Sequence, residues 1–280
     1  MIRKNEDRFG PRTNSSDESP AAADPASVLQ FVTPTDFVEL PSKGKGYPAG
    51  HPLCDQEMIE IKHMTAKEED ILSSRTLLKN GKALDRLISS VICNKAIDAN
   101  SLLVCDRNAI IISARSNGYG TEYNTKVTCP HCGAINKRTF DLTEPKVYDG
   151  SDWQDYDIEK LENGNHLITL PLSNFKVEVK SLIGADERKI FDMLQNKKKD
   201  QNLVTDQMRL FIVSVEGHTQ PNIINHFINN VPSAQSRYLR DAFNCITPSI
   251  KIVRDFECGE CGYEQELEVS LGTDFFWPER

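Results

Sequence analysis

An α+β fold is predicted for this chain of 280 residues by three observations. Two short cysteine pairs, Cys129-Pro130-His131-Cys132-Gly133 and Cys258-Gly259-Glu260-Cys261-Gly262, sit far apart on β-prone flanks. Amphipathic helical stripes precede the first pair. Helical periodicity returns between the pairs, from Asp186 to Cys245. The predicted architecture is a helical N-terminal region, a split four-cysteine ribbon of two β-hairpin knuckles, and a helical insertion between the knuckles. Its divisions are an arm at 1–33, a loop, short strand and three-helix region at 34–120, and the first ribbon half at 121–142. An acidic linker and hairpin follow at 143–185, then the helical insertion at 186–246, the second ribbon half at 247–272 and an aromatic tail at 273–280.

The arm is rich in Ser, Pro, Ala and Asp and has little to bury, so alone it is expected to be disordered, or ordered by a partner. From Pro34 runs a loop rich in Gly, Pro and Lys, through Ser42-Lys43-Gly44-Lys45-Gly46-Tyr47-Pro48. It lacks the G-x-x-x-x-G-K-[ST] order of a phosphate loop, which leaves a docking or structural role. Gln56 to Lys62 alternates as a short strand. Thr65-Ala66-Lys67-Glu68 forms a capping box, and Gly81 is placed to stop the helix it starts. Leu84, Leu87, Ile88, Val91 and Ile92 make the buried stripe of a second helix. A third is expected over Asp106 to Arg115, with Asp106 as N-cap and Gly118 just past its end.

Each C-x-x-C-G knuckle lies between two runs with strand character: Thr121 to Val127 and Ile135 to Leu142, then Ile250 to Phe256 and Tyr263 to Val269. Two thiolates at this spacing fold round a tetrahedral ion at about 2.3 Å, and the glycine after the second lets backbone amides point back at the sulfurs. Cys129, Cys132, Cys258 and Cys261 therefore make one closed four-thiolate zinc site, one zinc per chain, with closure inside a single chain favoured by effective concentration. Four thiolates leave no open position, so the metal is structural. The competing readings are a thioredoxin-like redox pair, which needs a strand-to-helix context, and disulfides, which need an oxidising compartment. His131 is an alternative ligand inside a knuckle whose two cysteines already fit. Glu260, the one nearby candidate base, reads as a solvated turn residue. Cys93, Cys105 and Cys245 read as small hydrophobes in or beside helical stretches, and Cys54 as a loop residue.

Between the knuckles, Asp141 to Glu162 is acidic and reads as a solvated linker despite Trp153 and Tyr156. His166 to Pro171 and Phe175 to Lys180 read as a hairpin across Leu172-Ser173-Asn174. Helices are expected from Asp186 to the basic end at Lys197-Lys198-Lys199, then over Asp206 to Val215, Pro221 to Asn229 and Ser233 to Cys245.

A net charge of -8 argues against a surface built for phosphate backbones, which makes nucleic acid a second-rank partner. No apolar run is long enough to span a bilayer, and the start Met1-Ile2-Arg3-Lys4 has no hydrophobic region after it to make a signal peptide. No triad, paired-carboxylate cleft or small-molecule site emerges, so the chain is read as non-enzymatic.

The run Phe37-Val38-Glu39-Leu40-Pro41-Ser42-Lys43-Gly44, Tyr47-Pro48, His51-Pro52-Leu53 and Ile59 to Leu72 resembles the baseplate hub subunit family of T-even-type contractile-tailed phages. The likeness continues through Leu84-Asp85-Arg86-Leu87, Asp106-Arg107-Asn108-Ala109, Gly118-Tyr119-Gly120 and Cys129-Pro130-His131-Cys132, and more weakly through Gly184-Ala185-Asp186-Glu187 and Arg237-Tyr238-Leu239-Arg240. The resemblance implies a structural or assembly component of the tail baseplate hub, assembled in host cytoplasm, with other baseplate and hub proteins as partners. It brings no catalytic residues. On that reading Phe275-Phe276-Trp277 docks into a neighbour or covers its own ribbon, and losing Thr273 to Arg280 abolishes partner capture without changing zinc content. A zinc-ribbon nucleic-acid binder, using Lys197 to Lys199, is the alternative.

Overall fold

Residues 33–196 and 203–276 are described in the computed structural model; all but Thr33 belong to one unit, Pro34–Arg280. The chain enters through β1 (Thr35–Glu39), which pairs antiparallel with β2 (Met58–Lys62), Val38 opposite Ile59. Part of the expected loop is thus a strand. Val38, Ile59 and Ile61 point into the core, whereas Phe37 and Met58 face out.

Helix α1 (Ala66–Ser73) begins at the expected capping box. It breaks at Ser74, with α2 (Arg75–Lys79) following as a separate turn, so Gly81 terminates a second short helix instead of the first. Glu68 is fully buried and collects four donors: Ser90 Oγ at 2.5 Å, Thr65 Oγ1 at 2.6 Å, Thr65 N at 2.9 Å and Lys62 Nζ at 2.9 Å. Burial alone would raise its pKa, but the bonds from Ser90, Thr65 and Lys62 outweigh it and hold the carboxyl at about 2, below its ordinary 4.5. A depressed native pKa stabilises the fold above the unfolded value and loses that contribution as pH falls. Stability should therefore decline as pH drops from 4.5 towards 2, and Glu68→Gln should flatten that segment of an acid-unfolding curve; an unchanged slope would remove Glu68 from the account.

Helices α3 (Ala83–Val91) and α4 (Val104–Tyr119) complete the N-terminal layer, α1 packing on α3 and α3 on α4. Helix α4 starts two residues before Asp106 and ends at Gly120, whose φ of +81° suits a glycine. Asp106 is not its cap, because its carboxylate is occupied elsewhere. It accepts from Ser42 N at 3.1 Å, Ser42 Oγ at 2.7 Å and Tyr47 Oη at 2.7 Å, pinning the Gly/Lys loop to the helix. Arg107, also buried, donates to Ala99 O, Asp85 and Glu187.

Hairpin β3 (Glu122–Thr128) and β4 (Ile135–Asp141) carries the first knuckle at its turn. The supposed linker then forms β5 (Lys146–Tyr148) and β6 (Ile158–Lys160), with Trp153 and Tyr156 packed against a core. Its aromatic side chains supply apolar area that a count of acidic residues hides. Strands β7 (His166–Thr169) and β8 (Lys176–Val179) form the expected hairpin.

Helix α5 (Gly184–Asn196) leads towards Lys197 to Lys199, which lie outside the described residues. Helix α6 (Leu203–Phe211) is shorter than expected, because Ile212 to Val215 form β9 and complete a sheet of order β6-β7-β8-β9. Three β-branched residues in four favour the pleated edge that β8 offers. Helices α7 (Pro221–Asn230) and α8 (Ser233–Ile246) cover that sheet, with Pro221 in the first turn of α7. Strand β10 (Ser249–Lys251) pairs with β5, and β11 (Val253–Glu257) with β12 (Glu264–Glu268) across the second knuckle.

The described residues have two main cores. One joins β1, β2, α1, α3 and α4 with Tyr123 and Phe140 of the first cysteine hairpin and Ile252 and Val269 beside the second. The other fills the space between the four-stranded sheet and α6 to α8. The tail belongs to the first: Phe275 and Phe276 are 1% and 2% exposed. Trp277 lies outside the described residues. Of the two readings of the tail, burial of Phe275 and Phe276 favours cover of the chain's own core over docking into a neighbour.

Candidate metal centre

Both knuckles have the same local construction. In the first, Cys129 N bonds to Ala134 O at 2.8 Å and Gly133 N to Cys129 O at 2.9 Å; in the second, Cys258 N bonds to Tyr263 O at 2.9 Å and Gly262 N to Cys258 O at 3.0 Å. Gly133 and Gly262 take φ of +75° and +66°, the left-handed conformation that closes each turn. The first cysteine of each pair is buried and the second exposed.

The two hairpins bring all four sulfurs within 4.8 Å of one another. Cys129 Sγ lies 3.8 Å from Cys261 Sγ, and Cys132 Sγ lies 3.7 Å from Cys258 Sγ. Neither spacing is a disulfide, which closes at about 2.0 Å. Both match the edge of about 3.8 Å that a tetrahedron of sulfurs has around an ion at 2.3 Å. The donor set thus fits a thiophilic ion such as zinc. His131 stacks on Tyr263 with ring centroids 5.5 Å apart and is outside the sulfur cluster.

The electrostatics favour thiolate at Cys258 and oppose it at Cys132 and Cys261. The Cys258 thiol is brought down to about 6 by the backbone amides of Cys261 and Glu260, with Asn136 adding to them against the cost of desolvation. Cys261 is pulled down by the Tyr263 amide, yet desolvation and the neighbouring sulfurs push it up to about 12. Four sulfurs this close cannot all ionise without a cation among them.

Asn136 was not singled out from the sequence. Its Oδ1 accepts from Gly259 N at 2.9 Å, and its Nδ2 faces Cys258 Sγ at 3.5 Å, so one side chain of β4 reaches the opposite knuckle. The available signal was phase: Asn136, Arg138 and Phe140 alternate on the less exposed face of β4. Arg138 donates to Glu257 O with its guanidinium over Phe256, and Arg254 Nε donates to Asp141 O at 3.0 Å. These bonds clasp the hairpins below the sulfurs. The groove of about 780 Å³ between the strands sets Arg138 and Arg254 against Asp141, Asp255, Glu257, Glu264 and Glu266.

Fold and site together define a mixed helix-and-sheet protein whose distant hairpins meet at a cluster of four cysteines. The chain belongs to the T4 bacteriophage base plate protein family, whose model matches residues 33–277. Neither the curated proteins nor the solved structures yield a match. Membership makes it a phage baseplate protein of the virion tail, with other phage structural proteins as its partners. No helix among the described residues is long and apolar enough to cross a membrane.

Proposed function

We propose that this chain is a non-enzymatic structural or assembly component of the central baseplate hub, held together by one structural zinc in a split ribbon. The observation that carries the reading is the four-cysteine cluster on a baseplate-family chain: four thiols within 4.8 Å of one another come from two separate two-stranded sheets. An isolated two-stranded hairpin is marginal in water, so a metal staple supplies what neither has alone. The four ligands are Cys129, Cys132, Cys258 and Cys261, and with four sulfurs round the ion no position is open for substrate. The acidic excess in the groove between the hairpins disfavours a polyanion there.

Mass spectrometry and immunogold labelling of purified virions test the reading. A fixed copy number at the tail tip is expected for a resident hub subunit. Abundance in infected lysate combined with absence from particles makes the chain an assembly factor that leaves. Retention of the lysate protein on nucleic acid, with none in particles or assembly intermediates, would overturn the proposal.

A further inference from the structure

A cleft of about 200 Å³ opens where the Gly/Lys loop, the connection after β5 and the β6–β7 turn meet. These three segments bring Lys43, Lys45 and Lys160 to one opening, with His166 and Trp153 in its walls. Asp149 is the one carboxylate among its described lining residues. It stands 3.8 Å from Lys43 and is already engaged by the Ser151 hydroxyl at 2.5 Å. Neither Lys45 nor Lys160 forms an ion pair among the described residues. A net charge of -8 makes such a concentration of cations uneven for this chain.

The walls are fixed in place. Asp106 holds Ser42, and Gly44 (φ +72°) sits so close to its neighbours that a Cβ would fall 2.4 Å from Gln56 N and 2.6 Å from Leu53 O. At Gly150 (φ +76°) a Cβ would fall 2.6 Å from Ile246 O. The loops that carry or flank the lysines therefore have little room to rearrange, and a rigid site loses less entropy on binding. The His166 pKa is lowered by burial and then by Lys160, as expected in a positive local field.

We propose that this cleft docks an acidic peptide segment of a neighbouring virion protein, with Lys43, Lys45 and Lys160 holding its carboxylates and Trp153 forming a wall. The Gly-Lys-Gly motif thereby acquires a role that a phosphate loop does not supply. Exposed cations steer and select more than they bind, so affinity for a short peptide should be weak and strongly salt-sensitive. The proposal rests on the assembly reading for the source of the partner, yet the two fail separately, since absence from virions leaves the peptide titration unaffected.

The test is an NMR titration of the full chain with a hexaglutamate peptide, with inorganic phosphate and hexalysine as controls. Hexaglutamate should shift amides of residues 42–46, 149–151 and 160–166, and raised salt should reverse the shifts. K45A/K160A should weaken binding at least tenfold; neither lysine forms an ion pair among the described residues, so the melting temperature should not move. Shifts confined to other surfaces, affinity unchanged in K45A/K160A, or equal shifts with phosphate at the same concentration would each overturn the proposal.

Discussion

Cys258→Ser should abolish the proposed zinc binding and loosen both hairpins. Cys258 sits in a small cluster with Cys129 and Phe256, joined by Val127, Ala134 and Leu267, so ligand loss also opens this apolar contact between the two knuckles. Structural zinc contributes on the order of 10 kcal/mol to folding in small zinc-dependent peptides, where binding and folding are one event. Here the ribbon halves also lean on the first core through Tyr123, Phe140, Ile252 and Val269, so the loss should be graded along the strands. Hydrogen exchange should accelerate most over 122–141 and 253–268 and least in the sheet β6-β7-β8-β9, which has its own core. Wild-type protein should carry one zinc and the variant none. A half-integral stoichiometry would mean that two chains share the site, and full protection after chelation would remove the structural role.

Phe275→Ala and Phe276→Ala should each cost about 3–5 kcal/mol, the usual range for emptying a buried phenylalanine site. Phe275 packs on Tyr123 with centroids 5.2 Å apart, and Phe276 meets Tyr119 edge-on at 6.3 Å. Arg115, 4% exposed, donates to Phe275 O at 3.1 Å, to Gly120 O at 2.8 Å and to Glu122 O at 3.2 Å. One buried guanidinium thus ties the chain's end to the exit of α4 and the start of β3. Urea denaturation should report the loss as a lower midpoint at unchanged slope. Truncation at Thr273 should destabilise the first core, an effect beyond the loss of partner capture expected from the sequence. Wild-type stability in the double variant would restore the tail to a docking role.

The candidate site was legible because its signal is local. C-x-x-C-G turns carry their own geometry, and two copies on β-prone flanks name all four cysteines without knowledge of the path between them. The stripe of α3 was legible for the same reason, since a 3.6-residue period records which face is buried. Asp106 shows where such reading ends. An acidic residue before an apolar run looks like an N-cap, but its partners, Ser42 and Tyr47, lie 64 and 59 residues away. Asn136 is similar, since nothing in β4 itself reveals the Gly259 amide it meets.

By itself the sequence determined the α+β composition, the cysteine set and the likeness to baseplate proteins, all of which rest on short-range patterns. Only the tertiary structure decided that Phe275 and Phe276 close the chain's own core, that Ile212 to Val215 extend a sheet, and that Lys160 shares one cleft with Lys43 and Lys45. The physical reason is that hydrophobicity and charge are properties of residues, whereas burial and pairing are properties of partners. A phenylalanine pair seeks any apolar surface, and the surface it finds depends on chain packing that no local period encodes.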